Sequence, residues 1–266
     1  MISHQENTSP DRTIVLGVRV DCVTQQQTLD AIELLIQQRR SALARGETVE
    51  CRQVVTVNTE FVMEAQRDGA FRKIINNAAL VIADGIGVVW AARLGGKQLP
   101  ERITGTDTLV ALAKRCAGAG YRLYLLGAAP GVAERAAARL QSIAPGLQIA
   151  GTYAGSPAQE EEEGILQRLR EADADVLCVA YGAPAQEFWI HRNLSRLPVA
   201  VAMGVGGAYD FLSGRQRRAP RLIQRLGLEW LYRLYREPWR WRRMLAIPRF
   251  MFIVLLKGRR GEKHAR

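Results

Sequence analysis

Seven short apolar runs, separated by stretches of helical period, constrain this 266-residue chain more than any other feature. The runs are Ile14–Val20, Val54–Val57, Leu80–Ala83, Arg122–Leu126, Gln148–Thr152, Val176–Ala180 and Val199–Met203. They are almost continuously apolar, as strands are when both sheet faces are covered. Between most of them lie helix-period segments: Gln27–Ala44, Glu60–Asn76, Gly87–Leu94, Asp107–Ala119, Ala133–Ile143, Gln159–Ala172 and Gln186–Asn193. This alternation predicts an α/β fold, a Rossmann-like and mostly parallel sheet covered by helices. Ligands of such sheets bind beyond the carboxyl ends of the strands, so the residues just after each run carry the chemistry.

Those residues are polar or glycine. Thr56 and Asn58 close one run, and Asp84, Gly85 and Gly87 follow another. Gly127 ends a third, Gln186 follows a Tyr-Gly-Ala-Pro-Ala turn, and Gly206 lies in Gly204-Val205-Gly206-Gly207. Glycine here lets backbone N–H groups approach a phosphate. Asp84 has the placement of a general base, although a helix cap or turn residue would look the same locally. Thr56 and Asn58 share one face of a strand end, where they can bond a ligand or finish the turn. Gln186 can read a hydroxyl or a uracil edge, or simply open a helix. In Arg102-Ile103-Thr104-Gly105-Thr106-Asp107, Asp107 or Thr106 suits a helix cap, while Arg102 suits a phosphate or carboxylate.

Other chemistries lack their patterns. Asp173-Ala174-Asp175 has the spacing of a metal-binding acid pair, but it precedes a strand and reads as a turn on the opposite rim. Gly127 to Gly131 lacks the dinucleotide pattern. Cys22, Cys51, Cys116 and Cys178 are scattered and read as free thiols, and His4, His191 and His264 build no zinc cluster. No metal and no cofactor is therefore expected. The polar start, MISHQENTSPDRT, carries no apolar core of a secretory leader. The best apolar run near the other end, Phe250–Leu256, is too short to cross a bilayer, which takes about 20 residues.

Charge divides the chain. Residues 215–266 hold sixteen Lys and Arg against three acids, while the whole chain carries +11. The excess thus sits in a C-terminal appendage suited to an anionic surface. Arg215, Arg217, Arg218, Arg221 and Arg225 cluster where it leaves the body; they form either a solvated helix face or a diphosphate clamp, and their place beside the Gly204–Gly207 strand end favours the clamp. Trp230, Tyr232, Tyr235, Trp239 and Trp241 suit a headgroup layer, and Phe250–Leu256 suits shallow embedding in a membrane. That apolar run has no role on a phosphate backbone, so nucleic acid is not the expected partner. The division expected is a flexible tail over 1–12, a catalytic body over 13–214 and a basic amphipathic appendage of two or three short helices over 215–266, broken at Pro238 and Pro248.

VTVNTE (55–60), ADGIGVVWAA (83–92), RITGTD (102–107), LYLLGAAPGVAE (123–134), YGAPAQEFW (181–189), GVGGAYDFLSGRQRRAP (204–220) and LEWLYRLYREPWRWRR (228–243) together resemble the WecG/TagA/CpsF family of bacterial glycosyltransferases, glycosyltransferase family 26. The resemblance covers about residues 14–245. It implies a metal-independent, inverting transfer of a sugar from a UDP-sugar donor to a polyprenyl-diphosphate-linked sugar acceptor. The sugar implied is often N-acetylmannosamine or its uronic acid, with glucose also open. It further implies work at the cytoplasmic face of the plasma membrane, as a peripheral protein whose appendage touches the bilayer and completes the site. Asp84 would be the base, with Thr56 and Asn58 beside it. Gln186 would contact the donor, and Arg215, Arg218 and Arg221 would approach the diphosphate. Off the membrane, the appendage would be expected to bury itself in a homo-oligomer. The alternatives are a nucleotide-sugar-binding protein without catalysis and a nucleic-acid-binding protein with a basic arm.

Overall fold

A computed structural model describes residues 11–225 and 227–262. Strands β1 (Arg12–Val15) and β2 (Val18–Asp21) precede helix α1 (Gln25–Ala44). Then follow β3 (Arg52–Val57), α2 (Thr59–Arg67), α3 (Gly69–Asn77), β4 (Leu80–Ala83), α4 (Ile86–Leu94), α5 (Gly105–Ala119) and β5 (Arg122–Gly127). After these come α6 (Val132–Ile143), β6 (Gln148–Tyr153), α7 (Glu162–Ala172), β7 (Val176–Ala180), α8 (Ala185–Asn193), β8 (Val201–Gly204) and α9 (Ala208–Leu212). Four helices close the described chain: α10 (Arg221–Arg225), α11 (Glu229–Arg236), α12 (Trp241–Met244) and α13 (Ala246–Glu262).

Six strands form one sheet in the order β4-β3-β8-β7-β5-β6, and every pairing in it is parallel. The chain lays β3 and β4 on one side and β5 and β6 on the other. It then returns to fill the middle with β7 and β8. Alternate side chains leave opposite faces, as strand geometry requires. Val54, Ile82, Leu123, Leu125, Cys178 and Met203 pack with α1, α5 and α6. Val55, Val57 and Val81 pack with α2, α3 and α4, while Leu126, Leu177 and Ala202 pack under α7 and α8. The four cysteines are free, and three of them are buried.

Four expectations are corrected. Ile14–Val20 is not one strand: Leu16 and Gly17 take positive φ and fold it into the antiparallel β1–β2 hairpin. Arg12, placed in the tail, already belongs to β1, and residues 1–10 lie outside the described residues. Glu60–Asn76 breaks at Asp68, whose side chain accepts the Ala70 and Phe71 N–H groups and so caps α3 instead of continuing α2. In the appendage, Pro248 does not break a helix, because it falls in the first turn of α13, where its missing N–H costs no bond. That helix runs for 17 residues, longer than expected. Its Phe250 and Val254 are buried against α2 and α4, while Phe252, Leu255 and Leu256 stay exposed. Only half of the apolar run is therefore available to anything outside the molecule.

Candidate active site

The carboxyl ends of β3, β4, β7 and β8 open into one cavity of about 340 Å³. Thr56, Asn58, Asp84, Gln186 and Gly206 all line it. Thr56 sits one residue before the end of β3, buried, with its hydroxyl 3.4 Å from the Gly204 carbonyl. Asp84 follows β4, and its backbone N–H donates to the Val57 carbonyl at 2.7 Å, which carries the β3–β4 ladder one residue further. Gly105, the first residue of α5, meets both side chains. A Cβ there would stand 3.6 Å from Asp84 Oδ2 and from Thr56 Oγ1. Burial pushes the Asp84 carboxyl up to about 6, and the charge of Glu229 adds to this. The Gly105 N–H and the cations of Arg102 and Arg218 oppose the rise. The result is a carboxylate charged at neutral pH yet basic enough to take a proton, as a general base must be.

Asn58 is the cap of α2, its Oδ1 accepting the Phe61 N–H at 3.1 Å. Its oxygen is thus committed, although the residue lines the cavity. Gln186 is buried, and its oxygen accepts N–H bonds from Gly182 at 3.2 Å and Gly206 at 3.1 Å. The next residue, Glu187, is wholly buried, and desolvation pushes its carboxyl up to about 7.

The other nominated glycines do not line the cavity; they shape the backbone. Gly85 takes φ +102°, a conformation other residues resist, at the entry to α4. A Cβ at Gly87 would strike Thr59, and one at Gly127 would come within 2.8 Å of the Ala180 backbone.

The arginines divide. Arg215 lines the cavity and pairs with Asp210 at 3.5 Å. Arg218 is turned aside, bonding Asp107 through both terminal nitrogens and Glu229 at 3.2 Å through Nε. It ties α11 to the head of α5. Asp107 therefore serves as a structural anchor, and the cap of α5 is Thr104, whose Oγ1 accepts the Asp107 N–H at 3.2 Å. Arg102 is not a lining residue, although its charge acts on Asp84. Arg221 opens α10, and its side chain lies outside the described residues.

Two cavity-lining arginines were not singled out from the sequence, Arg233 and Arg243. Arg233 stacks over the Phe211 ring at 5.0 Å, and Arg243 binds Glu60 at 2.6 Å. Their stretch holds five arginines, and linear spacing does not say which ones the short helices turn inward. A second cavity of about 270 Å³ adjoins the first. It shares Glu60, Phe61, Ala183 and Arg243 with it and reaches Ala246 and Arg249 of α13. On the opposite rim, Asp173 pairs with Arg122 at 3.0 Å and Asp175 with Arg40 at 2.7 Å, as their position before β7 predicts.

The family described as "Glycosyl transferase WecG/TagA/CpsF family" matches residues 13–264. An N-acetylglucosaminyldiphosphoundecaprenol N-acetyl-beta-D-mannosaminyltransferase of Bacillus spizizenii is 37% identical over 210 residues, covering 79% of this chain and 81% of that protein. A protein of the same name from Bacillus subtilis is 36% identical over 202 residues, covering 76% and 78%. With a family match across nearly the whole described chain and relatives of this identity and coverage, the chain belongs to the WecG/TagA/CpsF family of glycosyl transferases.

Proposed function

We propose that this chain is an inverting, metal-independent transferase. In this reading it moves an N-acetylmannosamine-type sugar from a UDP-sugar to a saccharide carried on polyprenyl diphosphate, in the synthesis of a bacterial surface polysaccharide. The observation that carries the proposal is a single cavity with the Asp84 carboxylate at a strand end and Arg215, Arg233 and Arg243 on its walls. The relatives' names support the sugar and the lipid acceptor.

Asp84 takes the proton from the acceptor hydroxyl as that oxygen attacks the anomeric carbon, and Thr56 lies beside it. Such a base is worth roughly 10²–10⁴-fold in rate. The leaving diphosphate gathers negative charge, which the arginines and the Gly207 N–H at the cavity wall stabilise. The acceptor diphosphate and its first isoprene units extend into the adjoining cavity toward α13.

The protein works as a peripheral protein on the cytoplasmic face of the plasma membrane. No helix among the described residues is long and apolar enough to cross a membrane. Tyr235, Trp239, Trp241, Phe252, Leu255 and Leu256 nevertheless stand exposed on helices rich in arginine, a surface suited to anionic lipid. Off the membrane, the same surface is free to meet a second copy of the chain.

The test is a screen of UDP-sugars with a short-chain lipid-diphosphate N-acetylglucosamine acceptor in EDTA, with the product anomer read by NMR. One donor is expected to turn over with inversion. Retention of configuration, or activity abolished by EDTA and restored by a divalent metal, overturns the proposal.

A further inference from the structure

Three buried polar side chains meet beneath the cavity: Gln53 and Gln186, each 2% exposed, and Glu187 at 0%. The Gln186 oxygen is spent on two backbone donors, the Gly182 and Gly206 N–H groups, one from the turn after β7 and one from the turn after β8. Its nitrogen gives one hydrogen to Glu187 Oε1 at 3.0 Å. The other oxygen of Glu187 accepts from Gln53 Nε2 at 2.7 Å. Gly204 closes this arrangement from below, since a Cβ there would stand 2.2 Å from Glu187 Oε1 and 2.4 Å from Gln186 Nε2. A primary amide carries two hydrogens on nitrogen. One of those on Gln186 is taken by Glu187, which leaves the second on a residue that lines the cavity.

We propose that Glu187 is a positioning residue: by holding one hydrogen of Gln186 Nε2 it locks the amide so that Gln186 offers the donor sugar an N–H, never an oxygen. The sugar group read there is then a hydrogen-bond acceptor, a ring hydroxyl or an acetamido oxygen. This reading narrows the choice the sequence left open, because an amide with its oxygen occupied cannot read the paired donor and acceptor of a uracil edge. It rests on the transferase function proposed above.

Gln53 Oε1 has no hydrogen-bond partner among the described residues. A glutamine at 187 can therefore accept from Gln186 and donate to a flipped Gln53, which gives up only the longer 3.3 Å bond from Gln53 Nε2 to the residue 187 carbonyl and makes Glu187→Gln a rescue variant. Glu187→Met offers no acceptor. In the full chain, Glu187→Gln is expected to keep kcat within about threefold, while Glu187→Met and Gln186→Met each lose about 30-fold, the size of one buried hydrogen bond to substrate. The double Met variant is expected to fall no further than Gln186→Met alone, because Glu187 acts only through Gln186. Additive losses, or a folded Glu187→Gln as poor as Gln186→Met, overturn the proposal. Should Glu187→Met fail to fold by circular dichroism, the Gln variant decides alone. Wild-type turnover tests the transferase reading separately. Without it, crystal structures decide: the Gln186 oxygen should stay on Gly182 and Gly206 in Glu187→Gln, and a rotated amide there sinks the inference.

Discussion

Replacing Asp84 by Asn should make the protein more stable and nearly inactive, and both effects should depend on pH in a fixed way. Burial raises the folded pKa of Asp84 from 3.8 to about 6. Between those values the folded state holds a proton that the unfolded state has lost. Stability therefore falls as pH rises through this window and levels off above about 6. A shift of about two units corresponds to roughly 3 kcal/mol of folding free energy withheld by the charged carboxylate at pH 7–8. Asn keeps the size and an oxygen for the Gly105 N–H but carries no charge. Denaturant melts should thus show Asp84→Asn equal to wild type near pH 4 and more stable by up to about 3 kcal/mol at pH 8. Comparing the two proteins removes the contribution of Glu187, which titrates near 7 in both. In the transfer assay, wild-type kcat/KM should drop about tenfold per pH unit below 6, and the Asn variant should lose roughly 10²–10⁴-fold at pH 7.5. A difference in stability that does not change with pH, or an Asn variant with wild-type turnover, would refute the role given to this carboxylate.

Arg218→Ala should cost about 1–3 kcal/mol, because Asp107 and Glu229 both lose a partly buried charged partner. It should also speed hydrogen exchange in α11, and unchanged exchange would show that the anchor is not needed. Gly204→Ala should destabilise the protein by about 1–3 kcal/mol, since its Cβ overlaps the Gln186 and Glu187 side chains. A normal melt with a normal kcat would mean that the pair has room to move. Trp239→Ala with Phe252→Ala should weaken sedimentation with anionic vesicles while leaving the melt unchanged, both side chains being more than half exposed. Sedimentation indifferent to these changes and to salt would exclude this face as the membrane contact.

The sequence by itself determined the sheet and its chemical rim. Six of the seven short apolar runs became strands of one sheet, because helices of 9 to 20 residues between them leave little but parallel crossovers, while Ile14–Val20 folded into a separate hairpin. From that frame Thr56, Asn58, Asp84, Gln186 and Gly206 fall at carboxyl ends, and all five line one cavity. Local sequence also located the Asp173–Asp175 turn on the far rim. Tertiary structure alone decided what depends on distant contacts. The raised pKa of Asp84 comes from burial, with the charge of Glu229, 145 residues later, adding to it against the opposing Gly105 N–H. The choice between cavity and anchor for each arginine follows from where the chain carries it and which distant groups it meets there. Arg218 meets Asp107, 111 residues earlier, while Arg233 and Arg243 are turned toward the cavity by short helices whose packing no linear pattern records. Periodicity reports which face of a segment is apolar, and it carries no information about the partner on the other side.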